Sequence, residues 1–236
     1  MPETPDCGGD APRLRVAEAR AILTGSIAPV SGWEQVSLRA ALGRVLAADL
    51  VAPCDVPAHD NSAMDGYAVR AADLAAEPSA LRVIGSALAG RSFSGTLGAG
   101  EAVRIMTGAV MPAGADSVVI QEAARVEGDQ VLLVGPCERP GQNVRRAGED
   151  LTRGQMALPA GRRVGPPELG LAASLGVAEV RVWRRPRVAF FSTGDELASI
   201  GRALLPGEVY DSNRYSLYGA LHGLGVEVLD MGVCLL

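Results

Sequence analysis

One loop of this chain places two carboxylates, two small polar side chains and a turn glycine between apolar, strand-like runs: Pro57-Ala58-His59-Asp60-Asn61-Ser62-Ala63-Met64-Asp65-Gly66-Tyr67-Ala68-Val69. Carboxylate oxygens beside exposed backbone N–H groups are suited to hold a cation or a phosphate. The same residue types also form Asx-turns in solvated connections. The loop by itself therefore leaves two interpretations open, a ligand site and a plain turn.

The sequence around this loop, from residue 51 to about 144, alternates short β-like runs with Gly and Pro. The runs are Leu81–Ile84, Ala102–Ile105, Ser117–Ile120 and Gln130–Val134. Short strands separated by turn residues are typical of small barrels and sandwiches. The pattern predicts a β-rich insert domain over residues 51–144, either barrel-like or sandwich-like.

Helical patterns flank the insert on both sides. Apolar residues at helical spacing run from Leu14 to a stop at Gly25, and a second helical piece follows Ser37 as its N-cap. Pro166-Pro167 opens a third helix, which Gly176 closes, and the strand Glu179–Trp183 comes next. We group residues 13–50 and 145–183 into one discontinuous domain that mixes helix and strand, preceded by a flexible leader over residues 1–12.

The last part of the chain, residues 184–236, has the pattern strand, turn, helix, strand. Val188–Phe191 is a continuous apolar strand, Tyr215–Leu224 has helical spacing behind Asn213, and Val226–Leu229 is the next strand. This βαβ unit is the opening of a doubly wound parallel α/β sheet, and such sheets normally have both faces covered. The sequence stops soon after the second strand, so we expect a truncated domain; a small genuine terminal unit is the alternative.

Charge excludes several mechanisms. The net charge is −5, so the sequence lacks the excess of basic residues that is typical of proteins whose main partner is nucleic acid. All 22 basic residues are arginines, so a Schiff-base lysine, a P-loop lysine and a kinase-type lysine are absent from this sequence. Any anionic ligand must then be met by arginine, by backbone N–H groups or by a metal.

Cysteine and histidine usage argues against a structural zinc site. Four cysteines, Cys7, Cys54, Cys137 and Cys234, are scattered without a C-x-x-C pair, and only two histidines are present. The first ten residues are unlike a signal peptide, and no apolar run reaches the roughly 20 residues of a membrane-spanning helix. We therefore expect a cytoplasmic protein with reduced thiols and no membrane contact.

Three further segments combine turn glycines with polar side chains. Thr107-Gly108 follows a strand, where the threonine can offer a hydroxyl and an N–H to an anion or can simply form a turn. The segment from Gly141 to Asp150 sets Arg145 and Arg146 beside Glu149 and Asp150; these arginines can clamp phosphates and the acids can hold Mg²⁺, or the four can pair with one another on a surface turn.

The fourth segment, Phe191-Ser192-Thr193-Gly194-Asp195-Glu196-Leu197, lies at the carboxyl end of the first parallel strand, where open α/β sheets bind ligands. Its N–H groups suit an anion and its two acids suit a metal, although Asp195 can also serve as a helix N-cap. Four such loops in one chain, with carboxylates for a metal and donors for an anion, suggest Mg²⁺ and a phosphorylated ligand.

These four segments resemble the molybdopterin molybdenumtransferases, that is, the MoeA-type proteins and the gephyrin E-domain. The motifs that carry the resemblance stand in the same order: Asp60-Asn61-Ser62-Ala63-Met64-Asp65-Gly66-Tyr67-Ala68, Arg104-Ile105-Met106-Thr107-Gly108-Ala109, Asn143-Val144-Arg145-Arg146-Ala147-Gly148-Glu149-Asp150 and Phe191 to Leu197. The resemblance covers roughly residues 14–233. It implies the last step of molybdenum cofactor synthesis, in which adenylated molybdopterin and molybdate react with Mg²⁺ to give molybdenum cofactor and AMP.

The resemblance also implies the site residues. It assigns catalysis to Asp65, Thr107, Asp150 and Glu196, with Asp65, Asp150 and Glu196 as metal or reaction-centre acids and Thr107 as a positioner of an anion or a water. For substrate binding we name a second set: Ser62, Arg145, Ser192, Thr193 and Gly194. Arg145 would stabilise charge on the departing phosphate.

The family is an elongated homodimer, which implies that Glu196 of one subunit faces the other three site residues of its partner. Molybdopterin adenylyltransferase is the expected partner in the pathway. Family members continue after Val233 with an acidic segment, a glycine-rich loop and a C-terminal β domain that this sequence lacks, so the chain itself is expected to be inactive as it stands. The alternatives are a non-catalytic, dimerising scaffold fragment and, from the acids alone, a generic Mg²⁺-dependent phosphohydrolase.

Overall fold

The computed structural model describes residues 14–74, 78–134 and 139–234 of the chain. The chain divides into two compact units. Residues 35–182 form the larger unit, and residues up to 34 together with those from 183 onward form the smaller one. The leader predicted over residues 1–12, and with it Cys7, lies outside the described residues, as does Cys137.

The helices within the described ranges are α1 (Val16–Ser26), α2 (Pro166–Ser174) and α3 (Ser212–Gly223), with short 3₁₀ helices over Leu38–Ala41, Ala71–Leu74 and Gln121–Ala123. The strands are β1 (Trp33–Ser37), β2 (Leu50–Val51), β3 (Asn61–Ser62), β4 (Gly66–Val69), β5 (Ser79–Ala87), β6 (Glu101–Ile105), β7 (Ser117–Ile120), β8 (Ala124–Glu127), β9 (Gln130–Leu133), β10 (Val144–Arg145), β11 (Met156–Leu158), β12 (Glu179–Trp183), β13 (Arg187–Thr193), β14 (Leu197–Ala198), β15 (Val209–Tyr210) and β16 (Glu227–Cys234).

A six-stranded mixed sheet dominates the larger unit. Its strand order is β7-β4-β6-β5-β9-β8, so β7 and β8 are the outer strands within the described part of the chain. β4 runs antiparallel to both β6 and β7, whereas β5 and β6 are parallel. The short strands predicted between residues 51 and 144 are thereby confirmed, and they join in one sheet.

The strand β4, which lies between β7 and β6, is covered on both faces of this sheet. All four of its residues are buried, because Tyr67 and Val69 pack into one hydrophobic cluster and Ala68 packs into another. At the start of the strand, a Cβ on Gly66 would lie 1.9 Å from the carbonyl oxygen of Val119 on β7. The turn glycine singled out in the sequence is therefore required by close backbone packing.

A second core in the larger unit joins α2, β2, β11 and β12. Leu46, Leu175 and Val182 are its most buried large side chains. α2 begins at the proline pair and ends two residues before the predicted stop at Gly176, which confirms that helix. The piece expected after Ser37 is only a 3₁₀ turn, and Ser37 makes no capping hydrogen bond, so that prediction was wrong in type.

The smaller unit contains the predicted βαβ arrangement. β13 pairs in parallel with β16, and α3 lies between them in sequence. A short parallel pair of β14 and β15, which the sequence analysis did not predict, fills part of the connection. α3 starts earlier than expected, because the carboxylate of Asp211 rather than Asn213 caps it and accepts from the Arg214 N–H.

α1, the helix predicted to end at Gly25, is present and extends to Ser26, and none of its residues is buried. None of the helices in the described ranges combines the length and the apolar character that crossing a bilayer demands.

Candidate functional site

The antiparallel arrangement of β4 brings several motif residues to one edge of the six-stranded sheet. Gly66, the first residue of β4, pairs with Ile105 on β6 and with Ile120 on β7, and these are the last residues of their strands. Asp65 precedes β4, Thr107 follows β6 by two residues, and Gln121 follows β7 directly. Residues separated by up to 56 positions in sequence therefore meet at this edge.

Asp65 and Thr107 are hydrogen-bonded to each other. Oδ1 of Asp65 accepts from the Thr107 backbone N–H at 2.8 Å and from the Thr107 hydroxyl at 2.7 Å. The backbone bond is the largest reason why the pKa of Asp65 lies below its ordinary value, and the hydroxyl bond is the second. The carboxylate is therefore ionised at neutral pH, with Oδ2 directed to neither of these donors.

The two-residue strand β3 ties three motif segments together. On one side it pairs antiparallel with β10, matching Ser62 with Val144. On the other side, Ser62 donates its N–H to the Ala109 carbonyl at 3.0 Å and accepts from the Gly108 N–H at 2.8 Å. The loops that carry Asp65, Thr107 and Asp150 are therefore parts of one hydrogen-bonded assembly.

The side chain of Ser62 has a structural role in that assembly. Only 1% of the residue is exposed, and its hydroxyl donates to the Met64 carbonyl and accepts from the Met64 N–H. A hydroxyl that closes its own turn in this way fixes the path of the chain toward Asp65. Its predicted role in substrate binding stays a prediction.

Asp60 links the first motif loop to the third. Its carboxylate accepts from the Arg146 guanidinium and, at 2.8 Å, from the Ala147 N–H. The Ala147 bond is the main reason why the pKa of Asp60 is lowered, with the Arg146 bond next. This contact adds a side-chain connection to the β3 pairing and so holds the arginine turn against the acidic loop.

Arg145 is engaged by the acids of its own turn. Its guanidinium donates to Glu149 at 3.3 Å and to Asp150 at 2.5 Å, and the Asp150 contact is the largest cause of its raised pKa. The mutual pairing that the sequence analysis left open is therefore present. Asp150 and Arg145 both remain partly exposed, so a ligand can still reach the pair.

The fourth motif lies in the smaller unit, whereas Asp65, Thr107 and Asp150 lie in the larger one. Ser192 and Thr193 are at the carboxyl end of β13, paired with Val233 and Cys234 of β16. The next residue, Gly194, has a φ of +139°, and a Cβ there would meet the Glu196 carboxylate at 2.5–2.9 Å. The glycine thus makes room for Glu196 to fold back over the loop.

The acids of the site have the donor chemistry that Mg²⁺ requires. Mg²⁺ is commonly bound through one or two carboxylates, waters and substrate phosphates rather than by a cage of protein ligands. Asp65 supplies an ionised carboxylate, and Asp150 supplies an exposed one that also pairs with Arg145. Across the described ranges, no three Asp, Glu, His or Cys residues cluster as a ready metal site. The metal set Asp65, Asp150 and Glu196 stays a prediction.

Sequence reasoning quoted Arg104 at the start of the second motif but assigned no role to this cationic residue near Asp65. Arg104 on β6 lies over the ring of Tyr67, with 5.1 Å between the guanidinium carbon and the ring centroid, and donates to Gln121 and to the Gly66 carbonyl. One signal was present: Arg104 is the charged residue within the otherwise apolar run Ala102–Ile105. A charge inside such a run has to be accommodated by specific partners.

Comparison with known proteins places these segments in a family. Residues 14–176 match the family model described as MoeA N-terminal region, domains I and II. This chain belongs to the MoeA family. The resemblance stated from the four motifs is thereby confirmed, and the match covers three of them.

Relatives of known name extend the comparison to the fourth motif. The MoeA-type chain is 40% identical over 220 residues to a molybdopterin molybdenumtransferase of Haemophilus influenzae, which covers 93% of this chain and 54% of the relative. It is 42% identical over 204 residues to the protein of the same name from Nostoc sp., covering 85% and 47%. The chain thus spans about half the length of the curated relatives it matches.

A solved structure shows the same fold. The molybdopterin biosynthesis moeA protein of Pyrococcus horikoshii OT3 superposes with a TM-score of 0.85 and 34% sequence identity, covering 93% of this chain and 59% of that one. The mixed α+β and α/β character predicted from the sequence agrees with this MoeA neighbour.

Proposed function

We propose that this chain works in molybdenum cofactor biosynthesis as part of a molybdopterin molybdenumtransferase. The proposed reaction inserts molybdate into adenylated molybdopterin, requires Mg²⁺ and releases AMP. Molybdopterin adenylyltransferase is the proposed source of the adenylated substrate, and the cytoplasm the proposed compartment. The observation that carries this proposal is the Asp65–Thr107 pair at the sheet edge where three of the four motif segments meet.

The chemistry of that edge is suited to two anionic substrates. Molybdate and a pyrophosphate link repel each other, and Mg²⁺ supplies the positive charge that lets such anions approach. Thr107 fixes the Asp65 carboxylate through two hydrogen bonds and keeps it ionised by lowering its pKa. Asp65 therefore presents a charged oxygen in a defined direction, which favours a preorganised site.

The ion-paired turn at Arg145 and Asp150 adds a second reactive element. The bonds to Glu149 and Asp150 position the Arg145 guanidinium, and its remaining N–H donors can bind a developing negative charge on a phosphate. In the proposed dimer, Glu196 of one subunit completes the site made by Asp65, Thr107 and Asp150 of the other. Ser192, Thr193 and Gly194 then bind substrate through the loop that carries Glu196.

The test is AMP release by this chain joined to the C-terminal half of a curated relative. We expect AMP only when adenylated molybdopterin, molybdate and Mg²⁺ are all present. Asp65→Asn should lower turnover at least about a hundredfold, because it removes a charge stabilised at the reaction centre. The matched control is Asp129→Asn in the turn between β8 and β9. Equal AMP release by Asp65→Asn and the control would contradict the assignment.

A second candidate is a non-catalytic fragment of the same family that acts by dimerising. The exposed apolar side chains of α1 favour it, since Val16 is 84% and Leu23 63% exposed on a helix with no buried residue. Mass measurement and AMP assay of the 236-residue chain separate the two candidates. A dimer without turnover supports the second, and a monomer contradicts it.

A further inference from the structure

The groups that hold Arg104 in place are neutral, as far as the described residues are concerned. Its Nη1 donates to the Gly66 carbonyl at 3.2 Å, its Nη2 donates to Oε1 of Gln121 at 2.6 Å, and its Cζ lies 5.1 Å from the centroid of the Tyr67 ring in a cation–π contact. Tyr67 is itself 6% exposed, so the platform under the guanidinium is part of the core. Two directional hydrogen bonds and the cation–π contact restrict the orientation of the guanidinium.

The charge of Arg104 is not neutralised by a hydrogen-bonded carboxylate. In the described part of the chain, no Asp or Glu oxygen forms an ion pair with it, and its effect on Asp65 is a longer-range Coulombic one. The arginines of the third motif differ, because Arg145 pairs with Glu149 and Asp150 and Arg146 pairs with Asp60. Arg104 therefore has charge and N–H groups available for a ligand at this sheet edge without first releasing a carboxylate.

We propose that Arg104 binds an oxyanion of the substrate beside Asp65 and Thr107. The ligand class is a tetrahedral oxyanion, supplied either by the pyrophosphate link of the adenylated pterin or by molybdate. This inference rests on the proposed function and deepens it, since it assigns the anion contact at this edge to Arg104 of the second motif, for which the resemblance gave no role, in addition to Arg145 of the third.

The contacts of Arg104 explain why such binding is favourable. Arginine has five N–H donors in a planar fork, and the two bonds to Gly66 and Gln121 leave three of them. A partly buried guanidinium has already lost part of its hydration and has no carboxylate to displace, so an incoming anion gains its full charge-assisted bond. The two hydrogen bonds and the contact with Tyr67 already restrict the Arg104 side chain, which lowers the entropy lost on binding.

The experiment is calorimetric titration of the chain with inorganic pyrophosphate and, separately, with sodium molybdate at low ionic strength. Arg104→Gln is expected to weaken binding at least about tenfold, the equivalent of losing one charged hydrogen bond. Arg104→Lys keeps the charge but loses the planar fork, so an intermediate loss is expected. Arg125→Gln is the control, because it removes the same charge from β8 in the same sheet, where Arg125 is mostly exposed.

The outcomes separate the sources and the hypotheses. Loss of pyrophosphate binding alone identifies the pterin phosphates, loss of molybdate binding alone identifies molybdate, and loss of both supports a shared oxyanion subsite. Saturable binding that is equal in wild type, Arg104→Gln and Arg125→Gln overturns the proposal, as does the absence of binding by the wild type. If Arg104→Gln does not fold by circular dichroism, Arg104→Lys decides. The titration measures binding and not turnover, so its result can be read separately from the AMP assay that tests the proposed function.

Discussion

The two largest sheets of this chain are built from similar apolar strands but are covered very differently. In the six-stranded sheet every residue of β4 is buried, with core clusters on both faces. In the parallel pair of the smaller unit, Phe190 is the buried residue of β13, β16 has none and α3 has none. An apolar strand is thus buried only where other elements cover it, and Asp65 and Thr107 are mounted on the well-covered sheet.

The largest expected effect comes from Gly66→Ala. A Cβ at this position meets the Val119 carbonyl at 1.9 Å, and backbone cannot yield there without separating β4 from β7. We expect the larger unit to lose about 4 kcal/mol or more of unfolding free energy. Urea denaturation followed by circular dichroism measures it. A loss below about 1 kcal/mol would show that the sheet is looser than the comparison states.

The second prediction compares one substitution, Leu→Ala, in both units. Leu133 on β9 is 1% exposed, so truncation leaves a cavity and should cost about 2–5 kcal/mol. Leu217 on α3 is 49% exposed, so the same truncation should change stability by less than about 0.5 kcal/mol. Chemical denaturation of the two variants gives both values. Similar costs at the two sites would break the comparison.

Gly219→Ala on α3 should act in the opposite direction from Gly66→Ala. Gly219 lies inside the helix, and a Cβ there touches nothing within 4 Å. Because alanine loses less backbone freedom than glycine in a helix, we expect α3 to gain about 0.5–1 kcal/mol. Amide hydrogen exchange of α3 measures the gain, and a destabilised α3 would indicate that an unseen element packs against this face.

The last prediction concerns the pH dependence that one ion pair of the smaller unit contributes, and we expect a small effect because this pair lies at the surface. The Arg202 guanidinium, and after it the Leu205 N–H, lower the pKa of Glu208 from 4.5 to about 2. As pH falls, Glu208 is therefore protonated in the unfolded chain before it is protonated in the folded one. The stabilisation that ionised Glu208 gives the folded state is complete above about pH 4.5 and is lost toward pH 2.

A melting series between pH 5 and pH 2 is the measurement. We expect the wild type to lose thermal stability across this window and Glu208→Gln to lose less, since its side chain does not titrate. Parallel curves for the two proteins would show that the ion pair does not contribute.

The sequence predicted elements better than it predicted contacts. Val188–Phe191 was recognisable as a strand because four apolar residues follow one another, and the proline pair marked the start of α2. The cap of α3 was missed because Asp211, Ser212 and Asn213 are all good capping residues, and only the packing of the connection selects Asp211. Local patterns carry no information about which of three adjacent caps the fold uses.

The candidate site was found through its motifs, while its geometry depended on distant pairings. The bond between Asp65 and Thr107 joins residues 42 positions apart, and it forms because β4 is antiparallel to β6. Arg104 received no role although its motif was recognised, because its contacts with Tyr67 and Gln121 join three strands. No spacing rule within one segment reveals such a cluster.

The hairpin between β8 and β9 offers a practical handle on this molecule. The turn of this hairpin, at Gly128, lies beside the pairing of Gln130 with Arg82 on β5, and Arg82 also pairs with Glu101, the first residue of β6. Because Thr107 follows the last residue of β6, the turn is at the opposite end of the sheet from Thr107. A fluorophore or an affinity peptide inserted at this turn should leave ligand titrations undisturbed. The chain can be immobilised there with the Asp65–Thr107 end of the sheet facing the solution.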